Sequence, residues 1–161
     1  MKLLRFPRGF PIAAILWCLA LLAAGAFAGI KNMAVVVAAG SKLSDVSLAD
    51  LAKLCRGTQK TWPDGKNFTL VIKDPESPDM HIATQKLFGA GPGGIKAILA
   101  RLNESRLTVK IVDSDEDLLR TVETTPGAVG IIDVYSINSS VKVLRVDGKL
   151  PFDVRYALKG N

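Results

Sequence analysis

Continuous apolar runs alternate with amphipathic segments along most of this chain. Met33–Ala38 reads Met-Ala-Val-Val-Val-Ala, and Thr69–Ile72, 108–112, 128–132 and 141–146 are also short and rich in β-branched residues. Runs of this length without alternation predict strands buried on both faces of a sheet. Helical spacing with start and stop signals fills the gaps. Ser47 precedes an apolar pattern that reaches about Cys55, with Asp50 in the first turn and Gly57 just past the end. Further helices are predicted over about 79–88 and 95–102, separated by Gly89, Gly91, Pro92, Gly93 and Gly94. Ser114 opens a helix over 115–123 whose Asp115, Glu116 and Asp117 complement the helix dipole. Trp62-Pro63-Asp64-Gly65 and Thr125-Pro126-Gly127 read as turns, 43–46 as a connector, and Leu150-Pro151-Phe152 as an extended tail. Apolar strands separated by amphipathic helices predict an α/β fold with helices on both faces of the sheet.

The first 28 residues change the compartment and the charge. Lys2, Arg5 and Arg8 precede an uncharged apolar run from about Ile12 to Ala28, which ends in Ala26-Phe27-Ala28. This is the layout of a secretory signal peptide, with an uncleaved anchor as the alternative, and it predicts a periplasmic or otherwise exported protein. Trp17 before Cys18 does not suit lipoprotein processing. The whole chain carries 21 basic and 15 acidic residues; removing Lys2, Arg5 and Arg8 leaves 18 against 15, a net charge of +3. The remaining cations are interspersed with acids, so a nucleic-acid partner is not expected. About 130 residues remain after position 28, enough for one domain, 29–161, with its own core.

Candidate chemistry concentrates after the second strand. Val71-Ile72-Lys73-Asp74-Pro75-Glu76-Ser77-Pro78-Asp79 runs from a strand into a polar turn and then a helix start. Free backbone N–H groups and the positive end of the dipole favour an anion there, with Lys73 as its cation and Ser77 as its hydroxyl. The plainer alternative is that Ser77 or Asp79 caps the helix. Elsewhere the simpler readings prevail. Cys55 lies on an apolar helical pattern and reads as core, and a lone Cys with the lone His81 makes neither a nucleophile–base pair nor a zinc site. The glycine run at 89–94 follows a helix rather than a strand, so it is not a dinucleotide fingerprint. The acids at 113–117 read as dipole partners rather than a metal site, and Trp62 as a side chain folded over a core edge. No cofactor and no catalytic residue is predicted.

Taken together, Leu48-Ala49-Asp50-Leu51 with Cys55-Arg56-Gly57, Trp62-Pro63-Asp64-Gly65, the Lys73–Ser77 turn, Thr125-Pro126-Gly127-Ala128-Val129-Gly130-Ile131-Ile132-Asp133 and Val141-Lys142-Val143-Leu144 with Asp147-Gly148 resemble the substrate-binding proteins of phosphate ABC transporters. The likeness spans about Met33 to Leu158. It implies a type II periplasmic-binding fold, shortened to a single lobe with a mixed sheet flanked by helices, and with the hinge strands at its two ends. It also implies an oxyanion site in which Lys73 stands for an Arg and Ser77 for a Ser. Two positions depart from that pattern: Pro78 replaces a Gly and removes an N–H donor, and Asp79 replaces a Thr and brings a carboxylate. The resulting expectation is a periplasmic solute-binding-like protein that captures phosphate or a similar oxyanion for ABC-type uptake, without enzymatic chemistry. ABC transporter membrane components or a second copy of the chain are its expected partners. The alternative is an accessory, protein-interaction module that keeps the lobe and has lost the ligand.

Overall fold

A computed structural model describes residues 31–91, 93–105 and 108–160. The predicted signal peptide, Cys18 and Pro92 therefore lie outside the described residues. The main elements are β1 (Met33–Ala38), β2 (Asp45–Val46), α1 (Leu48–Cys55), β3 (Thr69–Ile72), α2 (His81–Phe88), α3 (Ile95–Glu104), β4 (Thr108–Ile111), α4 (Asp115–Thr124), β5 (Ala128–Asp133), β6 (Val141–Val143) and β7 (Arg145–Val146). Single 3₁₀ turns cover Pro78–Met80 and Val134–Ser136.

Five strands form one mixed sheet in the order β4-β3-β5-β1-β6. β4, β3 and β5 run parallel, whereas β1 is antiparallel to both of its neighbours, β5 and β6. The register pairs Leu70 with Val109 on one side and Val129 on the other, and Val35 with Ile131. A period of two is hidden inside the continuous apolar runs. Val35, Val37, Leu70, Ile72, Val129 and Ile131 enter a large core with α1, α2 and α3. Ala34, Val36, Val71, Ala128 and Ile132 enter a second core with Leu118, Leu119 and Val122 of α4. Both faces are thus covered, as the uninterrupted apolar strands require.

Two glycines set how closely the layers approach. A Cβ on Gly130 would lie 2.6 Å from Leu118 Cδ2 and 3.0 Å from both Val122 Cγ2 and Val36 Cγ2, so α4 rests directly on the β5 backbone there. Gly127 has φ +79°, and a Cβ on it would lie 2.2 Å from the Asn67 carbonyl oxygen. Trp62 locks the same place from the other side. Its indole N–H donates to the Gly127 carbonyl at 2.9 Å, and its ring meets Phe68 edge-on at 5.6 Å. The side chain is 3% exposed, so the loop from α1 to β3 is pinned to the turn that leads into β5.

The termini of the elements depart from the sequence pattern in three places. The strand expected over 141–146 breaks at Leu144, which is buried and donates its N–H to the Val35 carbonyl at 2.8 Å. Arg145–Val146 then pairs in parallel with Asp45–Val46, so the 43–46 connector holds a strand of its own. The helix expected from 79 begins as the 3₁₀ turn Pro78–Met80 and becomes α-helical only at His81. The tail from 150 is not extended. It folds through turns that bury Tyr156 and Leu158, and the Met33 N–H donates to the Leu158 carbonyl at 3.3 Å.

Gly127→Ala is expected to cost on the order of 2 kcal/mol or more, from both the disfavoured φ and the clash with Asn67. Gly40→Ala, which meets nothing within 4 Å, is expected to change stability by less than about 1 kcal/mol. Urea unfolding of the two variants checks the contrast.

Candidate functional site

A cavity of about 490 Å³ opens at the carboxyl ends of the parallel strands. Lys73 and Asp74 reach it from the end of β3, Val112 and Asp113 from β4, and Asp133 from β5, while Lys31 and Met33 enter from the start of β1. Carboxyl ends of strands in open α/β sheets are where ligands characteristically bind. Lys73 and Ser77 both line this cavity, so the structure brings the two expected site residues together.

Each of the two is set in its own surroundings. Lys73 reaches neither Glu76 nor Asp79; its Nζ lies 2.6 Å from Asp115 Oδ1, at the start of α4. Ser136 Oγ donates to the other oxygen of Asp115 at 2.6 Å. Asp79 accepts from Lys31 Nζ at 2.7 Å, and Glu76 is paired with Lys96 at 2.7 Å. Ser77 stands at the N-cap of the 3₁₀ turn, but its side chain makes no capping hydrogen bond, so neither Ser77 nor Asp79 caps a helix as expected. The turn is instead organised by Asp74. Its carboxylate accepts from the Glu76 N–H at 3.0 Å and its carbonyl from the Ser77 N–H at 3.2 Å. Two of the amides that would greet an anion are therefore engaged within the turn, and Pro78 has none.

Lys31, Lys96, Asp115, Asp133 and Ser136 are cavity residues that sequence reasoning did not single out for this role. The usable signal was the run of acids at 113–117, read there as dipole partners. Ser114 and Asp117 do form a reciprocal cap, in which Ser114 Oγ accepts from the Asp117 N–H at 3.0 Å and donates to its carboxylate at 2.9 Å. Asp115 turns into the cavity instead. Among the described residues three lysines and five aspartates line the cavity, and every one of the lysines is closed on a carboxylate. The lining side chains therefore carry more formal negative than positive charge.

Burial opposes ionisation of Asp115, but hydrogen bonds from Lys73 and Ser136, with the charges of Lys73 and Lys31, outweigh it and hold its pKa below the ordinary carboxylate value. Cys55 is fully buried, and desolvation pushes its thiol up, away from a nucleophilic thiolate. Among the described residues no three His, Cys, Asp or Glu side chains are grouped to hold a metal. No helix among them is long and apolar enough to cross a membrane.

No protein-family model matches the sequence, and no curated protein is similar to it by sequence. Solved structures do match. An ABC-type phosphate transport receptor from Vibrio cholerae superposes with a TM-score of 0.60 at 16% identity, over 76% of this chain and 48% of that one. PstS from Borrelia burgdorferi gives 0.61 at 17% identity, over 81% and 55%. A Clostridium perfringens structure described as a phosphate ABC transporter substrate-binding protein with bound phosphate gives 0.59 at 16%, over 75% and 47%. The fold is that of one lobe of a periplasmic binding protein. The chain spans about half the length of the proteins it matches. These neighbours are transport receptors rather than enzymes.

Because the folded pKa of Asp115 is depressed, its contribution to stability is present above the unfolded value of about 3.9 and is lost as the pH falls through the lower folded value. In Asp115→Asn that part of the acid loss is expected to disappear. Urea midpoints measured from neutral pH down to the acid transition, for both proteins, check this.

Proposed function

We propose that this chain is an exported accessory module, a binding-protein lobe that presents its cleft-end face to a protein partner and does not hold a free oxyanion tightly. The observation that carries this reading is the closure of Lys31, Lys73 and Lys96 on Asp79, Asp115 and Glu76. An incoming phosphate would have to replace those carboxylates while remaining beside them. Each carboxylate left a few ångströms away costs on the order of 1 kcal/mol or more, depending on exposure. Lys73 also offers a point charge where a two-pronged guanidinium would grip an oxyanion more firmly.

The second reading is noncovalent capture of phosphate or a similar oxyanion for ABC-type uptake. Two observations favour it. Lys73 and the uncommitted Ser77 hydroxyl line the same cavity at the strand ends, and one of the structural neighbours was solved with bound phosphate.

Calorimetric titration with phosphate, and with sulfate as a control, separates the two. The accessory reading expects no saturable heat up to millimolar phosphate. It also expects Asp79→Asn and Asp115→Asn together to raise phosphate affinity about tenfold or more, since each releases a lysine and removes a like charge. Micromolar binding by the unaltered protein, abolished in Ser77→Ala, would establish the receptor reading and overturn the accessory one.

A further inference from the structure

Five aspartates against three lysines leave the cavity lining with a formal excess of two negative charges. Lys31, Lys73 and Lys96 are closed on Asp79, Asp115 and Glu76, whereas Asp74, Asp113 and Asp133 stand in no ion pair among the described residues. These three come from the ends of neighbouring parallel strands, Asp113 from β4, Asp74 from β3 and Asp133 from β5. Adjacent strands lie about 4.8 Å apart, so the strand ends that deliver the carboxylates span roughly 10 Å. Among the described residues no three acids are grouped to hold a metal ion, and a row of this length suits an extended organic cation. Met33, Ile111, Val112 and Ile131 supply apolar lining for the alkyl stem of such a cation. Beyond the row, Tyr135 lies in the chain between the cavity residues Asp133 and Ser136, and its N–H donates to Asp133 Oδ1 at 3.0 Å. Its ring is 80% exposed and meets that of Phe152, 61% exposed, edge-on at 6.1 Å. The pair forms an aromatic knob with ring surface open to solvent.

We propose that the cleft-end face docks an arginine-bearing segment of a partner protein, whose guanidinium groups pair with Asp74, Asp113 and Asp133 and stack on Tyr135. The inference rests on the reading of this face as a protein contact and names the chemistry of that partner. Charge complementarity selects it. Carboxylates alone would accept any cation, and exposed rings alone any apolar surface. The guanidinium is the side-chain group that suits both, because it is planar, grips a carboxylate with two parallel N–H groups, stacks on aromatic faces and is only weakly hydrated. A segment carrying several such groups adds the positive charge that the lining lacks, so it displaces none of the three lysines from their partners. Phosphate would have to do so.

Calorimetric titration of the purified protein with a capped Arg-Ser-Arg-Ser-Arg peptide tests the proposal, with a capped Glu-Ser-Glu-Ser-Glu peptide and spermidine as comparisons. The expected result is saturable binding of the arginine peptide at low salt that loosens as salt rises. Asp113→Asn combined with Asp133→Asn is expected to weaken it about tenfold or more, and Tyr135→Ser about threefold or more. Glu123→Gln, outside the cavity lining, is expected to leave it unchanged. Asp133→Asn keeps an oxygen that accepts from the Tyr135 N–H, and Asp113 and Tyr135 are exposed, so these variants retain the fold, which circular dichroism verifies. No saturable heat with the arginine peptide, equal binding of the glutamate peptide, indifference to Tyr135→Ser, or a loss in Glu123→Gln as large as in the aspartate variant would each overturn the proposal. So would spermidine binding that matches the peptide and ignores Tyr135→Ser, the outcome for a site that holds a free polyamine. A protein that binds neither the arginine peptide nor phosphate keeps the accessory reading and loses this partner chemistry. One that binds phosphate at micromolar levels and not the peptide loses both.

Discussion

Strand β5 has to be buried on both faces at once, and the rest of the structure is arranged around that requirement. It is the one strand that joins the parallel part of the sheet, through β3, to the antiparallel part, through β1. Val129 and Ile131 face the three-helix layer, while Ala128, Gly130 and Ile132 face α4. Any side chain at Gly130 would push α4 away through Leu118 and Val122. The start of the strand is fixed by Gly127, which the Asn67 backbone and the Trp62 indole enclose. With both the depth and the start of β5 set, its far end delivers Asp133, Tyr135 and Ser136 to the mouth of the cavity. The cavity wall and the aromatic knob are therefore consequences of one packing constraint.

The same strand ends show how a backbone suited to anions can be turned against them by side chains. Strand carboxyl ends that open onto helix starts form a natural anion cradle. Here the positive end of α4 already faces its own Asp115, Glu116 and Asp117, and the turn after β3 directs its amides to Asp74. The lysines that remain are drawn from separate segments, 31, 73 and 96, and each finds a carboxylate. These pairs are partly exposed and contribute little to stability, about 0–1 kcal/mol each. Their consequence is for the sign of the field. A lining with more aspartates than lysines sets its side chains against the anion that strand ends and helix starts favour.

Strand and helix existence was legible in the chain because burial on both faces leaves uninterrupted apolar runs, and because Ser47, Ser114 and Gly57 mark ends by local chemistry. The Lys73–Ser77 turn was legible as a cavity residue pair for the same reason: a buried strand that ends in polar residues must deliver them to a sheet edge. The partners of Lys73 were not. Asp115 lies 42 residues away, and a first-turn aspartate satisfies the helix dipole equally well pointing to solvent, so nothing local distinguishes the two roles. The β2–β7 pair was invisible because two-residue strands carry no periodicity. The folded tail was hidden for a related reason. Tyr156-Ala157-Leu158 is a short apolar run in a tail that also carries Leu150, Phe152 and Val154, and nothing local marks which of these turn inward.

A cavity lined by ion pairs constrains what can cover it. Pressing a dry surface onto Lys73–Asp115 and Lys31–Asp79 would strip water from four charges and from the unpaired aspartates beside them, and that penalty is several kcal/mol per ion once solvent is excluded. Tyr135 and Phe152, exposed and packed edge-on against each other, offer apolar surface outside the cavity lining. A partner that gains by burying that surface and leaves the cavity wet obtains the hydrophobic contribution without the desolvation cost. Two-lobed binding of a tightly held anion demands the reverse, a cavity that closes and dries around its ligand. The distribution of charge and apolar surface on this lobe therefore favours contact at its edge over closure across its centre.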